Sequence, residues 1–456
     1  MFGFVRSTTA ALAATILMTA SASATPTGSK IDAYVRPYVA SKNFAGGIVI
    51  EKGGSIVYAK NFGFADVPRR IPNSSQTRYH VASLSGQFTM ATAMRLIELG
   101  KLRPDMKVSE ILPWYPNGDK LEIRHLLTET SGLPDINALP DYIEVLKHHQ
   151  TARSLVNKIV GKPLRFEPGT KYTGEDHSAY NLLALIIETV TGRSFADAVR
   201  QYVFVPANMR NSGIDDDSGR GRENRALGYM PVGISGLEAG PPLKWSAKTG
   251  NGSAFATVDD EVRWVDAFFG DRIVSAKSRA RMLDDSKGHA GYGWFKTESK
   301  RFGQKIYYMN GRSPGFASFL VHMPAEDLTV VVLSNIYSSV TTRMGFDLAA
   351  IVLGRPYKPM QVKLRTLAPA ETRGVAGRFK FGPDFYAPNA VVALEVEKDG
   401  LFLRWPDGDR SPMLPMGHDR FRDRTYWVTM ELVRGEGGTV RTIRYGRFAG
   451  TRQPVE

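Results

Sequence analysis

Alternating strand patterns lie near both ends of the first 350 residues, and helical patterns lie between them. The stretches "GGIVIEKG" and "SIVYAKNFGFA" alternate apolar and polar residues around Gly53-Gly54, which is typical of a β-hairpin. Near residue 300, "KIYYMNGRSPGFASFLVHMPAEDLTVVVLSN" indicates strand, Pro-Gly turn, strand, polar turn and apolar strand. Between them, apolar residues recur at helical spacing after Ser83 and before Gly192. The order predicts an α+β fold in which one antiparallel sheet is flanked by helices.

The sequence changes character beyond about residue 360. The runs "GVAGRFKF", "AVVALEVEKDGLFLRWPDGD" and "RFRDRTYWVTMELVRG" are short, alternating and separated by Gly, Asp and Pro. Such runs predict a small all-β unit, barrel-like in type. Because 456 residues exceed the usual size of a single core, we expect one domain over residues 25–360 and a second, all-β domain over residues 361–456.

Residues 1–24, "MFGFVRSTTAALAATILMTASASA", have the three parts of a signal peptide. One positive charge at Arg6 precedes a short apolar run, and small residues precede position 25. The apolar run is too short for a membrane anchor. We therefore expect cleavage after Ala24, a periplasmic or secreted protein, and no integral membrane segment in the mature chain.

Composition excludes several classes of site. The chain has no cysteine, which removes disulfides, thiol nucleophiles and cysteine-ligated metals. Its eight histidines include the adjacent His148 and His149 but no spacing typical of a metal site, so we expect neither a metal nor a cofactor. The formal charge of +14 comes from scattered Lys and Arg, without a nucleic-acid motif. A small-molecule or peptide ligand is the expected partner.

Several stretches, in the same order as in a known family, carry a resemblance over residues about 30–355. They are "VASLSGQFTMATAMRLIELGKL", "IRHLLTETSGLPD", "FEPGTKY", "YNLLALIIETVTGRSF", "SPGFASF" and "VVVLSN". The chain resembles the β-lactamase-related serine hydrolases, which include class C β-lactamases, D-Ala-D-Ala carboxypeptidases and esterases. The resemblance implies a β-lactamase/penicillin-binding-protein-like domain followed by a small β-barrel.

The resemblance also implies three catalytic motifs, and each has changed here. In S-x-x-K, the serine attacks a carbonyl and the lysine assists its deprotonation. This chain reads Ser83-Leu84-Ser85-Gly86, so the serine remains and a glycine occupies the lysine position. Ser83 is therefore either a retained nucleophile or only a helix cap.

The second and third motifs lack their tyrosine and their cation. Y-x-N falls on Gly174 when counted from Pro168 and on Glu175 when counted from Tyr180. K-T-G or H-x-G, counted back from "SPGF", falls on 309–311 and reads Met-Asn-Gly.

The loop "GEDH" supplies candidate replacements. A histidine that is oriented by a carboxylate would serve as the base. In this arrangement Ser83 is the nucleophile, His177 is the base, and Asp176 or Glu175 is the carboxylate. The alternative is a merely solvated acidic turn, because adjacent residues seldom orient one another as a triad needs.

Three further residues are candidates for substrate binding. Tyr172, just upstream of the loop, would take over the missing tyrosine's place. Asn310 would donate a hydrogen bond into the cleft, and Arg312 would hold a carboxylate or phosphate. The alternative interpretations are structural: Asn310 would only keep a strand edge soluble, and Arg312 would form a surface ion pair.

Three functions follow from these patterns. The first is an exported serine hydrolase that acts on an ester or amide through Ser83 with a non-standard base. The second is an inactive relative that binds a wall peptide or another ligand in the cleft. The third is non-hydrolytic acid–base chemistry by the loop of residues 175–177. A base within hydrogen-bond reach of Ser83 favours the first, and a purely capping Ser83 favours the second.

Overall fold

The structure is a computed structural model, and it describes residues 25–174, 176–283, 292–360, 365, 367–398, 400–406 and 408–454. The expected signal peptide and the candidate Glu175 lie outside these residues. Within the described ranges, no helix is both long enough and apolar enough to cross a membrane.

The main sheet joins the strands predicted at the two ends of the first 350 residues. Gly46 pairs with Ser334 and Lys52 pairs with Leu328, so the N-terminal hairpin lies beside the last of the later strands. The six antiparallel strands are, in spatial order, Phe295–Ser299, Gln304–Ser313, Phe316–Met323, Leu328–Ser334, Gly46–Lys52 and Ser55–Phe62. The α+β prediction is confirmed.

Alternation along the strands supplies apolar side chains to both faces of the sheet. Ile48 and Ile50 pack on one face with the helices Pro26–Ala40 and Val340–Val352. Val49, between them, packs on the opposite face in the larger core. That larger core includes the three helices nearest the candidate site, Ser85–Glu98, His177–Thr191 and Val258–Phe269. The sheet is therefore covered by helices on both faces, which explains why its central strands are so rich in Val, Ile and Leu.

The remaining elements are shorter. The other α-helices of the described residues are Val108–Ile111, Ile123–Leu127, Tyr142–Val145, Ala152–Ile159, Phe195–Val199, Ala276–Leu283 and Pro369–Thr372. Small sheets are formed by Phe64–Asp66 with Ile71–Pro72, by Tyr79–His80 with Ala254–Ala256 and Gly213–Ile214, and by Tyr229–Val232 with Gly236–Ala239.

The C-terminal region is a closed barrel, as the sequence predicts. Pairing of Phe379 with Arg452 joins the first and last strands, so the sheet has no free edge. Its eight strands are Gly377–Lys380, Val391–Glu397, Gly400–Arg404, Arg410–Gly417, Arg420–Asp423, Thr429–Arg434, Val440–Tyr445 and Phe448–Arg452. The division into domains at residue 360 stays a prediction.

A buried arginine joins the barrel to the first 350 residues. The side chain of Arg424, fully buried, donates to Asn43 Oδ1 at 2.8 Å and to the carbonyl of Lys42 at 2.9 Å. It also donates to the carbonyls of Val232 and Gly236, both at 2.8 Å. Burial lowers the pKa of Arg424 to about 10, and five acceptors compensate its lost hydration.

Candidate active site

Ser83 lies in a short 3₁₀ turn, Ala82–Leu84, directly before the Ser85–Glu98 helix. Ala82 has φ +51°, a left-handed conformation that is strained for an alanine. Neither this turn nor the following helix has a side-chain cap, and among the described residues the Ser83 hydroxyl makes no hydrogen bond. Capping therefore does not account for Ser83, which lines a cavity instead.

The third-motif strand runs beside Ser83. A Cβ at Gly311 would lie 2.8 Å from the backbone nitrogen of Ser83 and 2.5 Å from the carbonyl oxygen of Val81, so only glycine fits there. Met309 and Asn310 line the same cavity as Ser83. The segment 309–311 is thus adjacent to the serine, and the expected cation is replaced by a thioether side chain.

Tyr180 occupies the space of the missing lysine. A Cβ at Gly86 would lie 2.8 Å from Tyr180 Cε1 and 3.2 Å from Cζ. The Tyr180 hydroxyl donates to Glu129 Oε1 at 2.7 Å. Burial, with the nearby Glu129 carboxylate, raises the pKa of Tyr180 well above 10, so the phenol stays protonated at neutral pH. A neutral donor bonded to a buried carboxylate has replaced the ammonium group.

His177 lines the Ser83 cavity and is held there by Asp135. Its Nδ1 lies 3.1 Å and 3.2 Å from the two carboxylate oxygens of Asp135. Asp135 also accepts from the backbone of Asn137 at 3.1 Å, which fixes the carboxylate. With Nδ1 bound to Asp135, Nε2 is the nitrogen left for proton transfer. The carboxylate that backs His177 thus comes from "SGLPD", a stretch in which the sequence analysis singled out no acid.

Asp176 does not back His177. Its carboxylate accepts from the Ser131 hydroxyl at 2.5 Å and from the backbone of Ala179 at 3.3 Å, as the N-cap of the His177–Thr191 helix. Burial raises the pKa of Asp176, and these hydrogen bonds oppose that shift. The expectation that Asp176 orients His177 is corrected, because its oxygens face two other donors. Glu175, the alternative, lies outside the described residues.

The structure places the three substrate-binding candidates in different surroundings. Asn310 is exposed and lines the cavity. Tyr172 lies beside Gly174 and acts electrostatically on Tyr180, but it is not among the lining residues.

Arg312 lies outside the cavity, against the barrel. Its guanidinium carbon lies 3.9 Å from the ring centre of Tyr426 and 4.7 Å from that of Tyr337, and it donates to Ser339 Oγ at 3.2 Å. The prediction that Arg312 grips substrate is corrected, since these two rings and a hydroxyl hold its charge at the junction.

No other lysine takes the lost one's place among the described residues of the cavity. Lys248 is next to Tyr142, whose hydroxyl accepts from Nζ at 3.2 Å, and burial lowers the pKa of Lys248 to about 8. Lys171 is exposed. The described residues contain no group of three or more metal-ligating side chains.

Asp135, Glu129 and Tyr180 are the site residues that the sequence patterns did not predict. The sequence signal for Glu129 is that it is the one acid in "LLTETSG", and the structure adds that its φ is +53°. Tyr180 gave none, since it continues the apolar pattern of its helix.

The comparison with protein families decides the assignment. Residues 31–353 match the family model described as Beta-lactamase. The chain belongs to this β-lactamase family.

Curated relatives of this family member include penicillin-binding protein 4* of Bacillus subtilis strain 168. The two are 26% identical over 432 residues, which cover 88% of this chain and 93% of the relative. A D-aminopeptidase of Gluconobacter oxydans strain 621H is 29% identical over 328 residues, covering 69% of this chain and 60% of the relative.

Solved structures share the fold of this β-lactamase family member. A penicillin-binding protein from Bacillus halodurans superposes with a TM-score of 0.61 at 25% identity, covering 71% of this chain and 98% of that one. The octameric penicillin-binding protein homologue from Pyrococcus abyssi has a TM-score of 0.64 at 21% identity, with coverage of 93% and 99%. The second match spans most of this chain, which shows that the fold likeness extends past residue 353.

Proposed function

We propose that this chain is an exported serine hydrolase that cleaves an ester or amide through Ser83, with His177 as the base and Asp135 as its positioning residue. One observation carries the proposal: a serine that caps nothing, next to a strained alanine, shares a cavity with a histidine whose Nδ1 is bound to a carboxylate. Strained backbone of this kind concentrates at functional sites.

The chemistry follows from the atoms available. Ser83 Oγ attacks the substrate carbonyl carbon while His177 Nε2 takes the hydroxyl proton. The backbone N–H of Ser83 stabilises the oxyanion of the tetrahedral intermediate. The C–O or C–N bond then breaks, His177 returns the proton to the leaving group, and an acyl-enzyme remains for water to cleave. Because Ser83 and His177 do not hydrogen-bond directly in the free protein, binding of substrate must bring them within about 3 Å.

The relatives suggest where the search for a substrate begins. One relative is named a penicillin-binding protein and the other a D-aminopeptidase, so penicillins and D-amino acid peptides are the first compounds to try. The N-terminal signal pattern supports export.

The second candidate is a binding protein without catalysis. It is favoured by Gly86 at the lysine position and by Met309 at the third-motif cation position, because both changes remove a charge that the family chemistry uses. Acid–base chemistry by the 175–177 loop is the third candidate. Its support is weaker because Asp176 is bound to Ser131 and to its own helix.

The test is intact-protein mass spectrometry after incubation with a fluorophosphonate and, separately, a penicillin. We expect an adduct on the wild type and none on Ser83→Ala. His177→Ala should slow labelling by about 10²–10⁴-fold, the usual contribution of a general base. The matched control is His148→Ala, since His148 pairs with Glu144 at 2.8 Å on the surface, and its labelling should be unchanged.

Asp135→Asn separates the positioning role from a structural one. If Asp135 orients the imidazole, its loss changes the pH profile of labelling while the thermal midpoint changes little. Labelling that persists unchanged in His177→Ala would reject His177 as base. Absence of an adduct from the folded wild type with both reagents would favour the binding protein.

A further inference from the structure

A second cavity lies apart from the one that Ser83 lines. It is lined by His80, Trp245, Phe316, Arg222 and Lys244 among others, and shares no lining residue with the Ser83 cavity. We call it the His80 cavity. His80 ends the strand Tyr79–His80, three positions before Ser83.

Three aromatic rings form one wall. The His80 and Trp245 rings stack with centres 3.5 Å apart and an angle of 10°. Phe316 meets both edge-on, at 5.2 Å from His80 and 5.8 Å from Trp245. Pro241 and Pro242 extend the apolar lining. The wall fits the flat or alkyl body of a ligand.

His80 is an unsatisfied polar group within this wall. Its side chain is 5% exposed, and Nδ1 is buried without a hydrogen-bond partner among the described residues. Nε2 lies 3.5 Å from Asp215 Oδ2. Burial, with Arg225 nearby, lowers the pKa of His80 well below 6.5, so the ring is neutral. A buried polar atom without a partner is unusual in a native fold and is a reason to look for a ligand.

The His80 cavity is lined by two cationic side chains that have no acidic partner among the described residues. Asp215 is paired with Arg225. Asp217 accepts from the backbone of Trp245 at 3.1 Å and lies 3.1 Å from His149 Nδ1. Arg222 and Lys244 are exposed and have no ion pair within the part of the chain that the structure describes. Two cations are thus available, while both acids already have partners.

We propose that the His80 cavity binds a small carboxylate whose apolar body lies on Trp245 and Phe316 and whose charge faces Arg222 and Lys244. A monoanion with an apolar body fits better than a bare phosphate, because three aromatic rings and three prolines are among the lining residues and because the Asp217 carboxylate repels a dianion. The site goes beyond the proposed hydrolysis, and its test does not depend on activity.

Isothermal titration calorimetry of the full chain tests the site, with phenylacetate as probe. Phenylacetamide reports the requirement for charge, and inorganic phosphate reports the requirement for an apolar body. We expect phenylacetate to bind with a dissociation constant of about 1 mM or below and the other two to bind much more weakly.

Variants locate the bound carboxylate. Arg222→Gln and Lys244→Gln should each weaken phenylacetate about five- to tenfold, as loss of one charge-assisted contact does. Both side chains are exposed, so folding is preserved, and Lys101→Gln, another exposed cation, is the matched control. Asn310→Ala, in the Ser83 cavity, should bind phenylacetate as tightly as the wild type.

Three results overturn the proposal. One is no binding of phenylacetate by the folded wild type. Another is equal affinity for phosphate, which would remove the role of the aromatic wall. The last is binding lost in Asn310→Ala but kept in Arg222→Gln and Lys244→Gln, which would place the carboxylate beside Ser83.

Discussion

Replacement of Gly86 by alanine tests whether Tyr180 fills the space of the missing lysine. In the interior of a helix, glycine to alanine normally stabilises by about 0.5–1 kcal/mol. Here the new Cβ would lie 2.8 Å from Tyr180 Cε1, where carbon atoms need about 3.5 Å or more. Tyr180 is buried and bound to Glu129, so the ring has little freedom to move away.

The two effects have opposite signs, and their sizes decide the outcome. Overpacking of this kind costs about 1–3 kcal/mol. If the ring does move, the hydrogen bond to the Glu129 carboxylate is lost, at about 1.5–3 kcal/mol. Either route exceeds the helix gain, so we expect Gly86→Ala to lose about 1–2 kcal/mol. For a unit of this size, that loss lowers the thermal midpoint by about 1–3 °C.

Calorimetry or circular dichroism melting measures the midpoint, and Gly28→Ala is the matched control. Gly28 is also in the first turn of a helix, but there a Cβ would lie 3.2 Å from Thr25 Oγ1 and 4.0 Å from Tyr58 Cδ2, which are longer distances than at Gly86. Gly28→Ala should be neutral or slightly stabilising. In a Tyr180→Leu background, Gly86→Ala should cost less than in the wild type, because the ring that it strikes is gone. The reasoning is refuted if Gly86→Ala is as harmless as Gly28→Ala in the wild-type protein.

Three other predictions concern charges away from Ser83. Arg312→Met should lower the thermal midpoint, because about 1–2 kcal/mol of cation–π contact with Tyr426 and Tyr337 is lost, and it should leave Ser83 labelling unchanged. A large loss of labelling at unchanged stability would instead assign Arg312 to substrate binding. Burial lowers the pKa of Lys248 to about 8 in the folded state, against 10.5 in the unfolded chain. Because the folded state loses its proton first, the free energy of unfolding should rise by up to about 3 kcal/mol between about pH 8 and 10.5. Denaturant titration should find that this rise is absent in Lys248→Met. Arg424→Met should lower the free energy of unfolding by at least about 3 kcal/mol, because buried acceptors lose their donor. Thermal melting should show a change within about 0.5 kcal/mol for Arg441→Met, the matched control at an exposed position.

Much of the architecture was predictable because it depends on periodicity. The hairpin at Gly53-Gly54 and the C-terminal barrel have alternating patterns, whereas the later strands Phe316–Met323 and Leu328–Ser334 are apolar runs that lie buried along their whole length. The helix ending at Gly192 was equally readable, since φ +63° at that position suits glycine. These signals are local, and in this chain the tertiary contacts leave the predicted strands and this helix unchanged.

Partners in the candidate site were predictable only where adjacency along the chain coincides with adjacency in space. The sequence located Ser83 and Asn310 by their spacing within motifs, and His177 by its place in the loop "GEDH". It assigned Asp176 to His177 because the two are neighbours, whereas a helix N-terminus turns Asp176 toward its own backbone.

By itself, the sequence determined the fold class and the barrel, and it predicted a retained serine and changes at three motif positions. Only the tertiary structure decided that Asp135 holds His177, that Tyr180 and Glu129 fill the lysine's place, and that Arg312 is bound at the barrel junction. The physical reason is the range of the interactions. Helix and strand patterns are set over a few residues, whereas Asp135 and His177 are 42 positions apart and meet only because the chain brings Asp135 to the start of the His177–Thr191 helix.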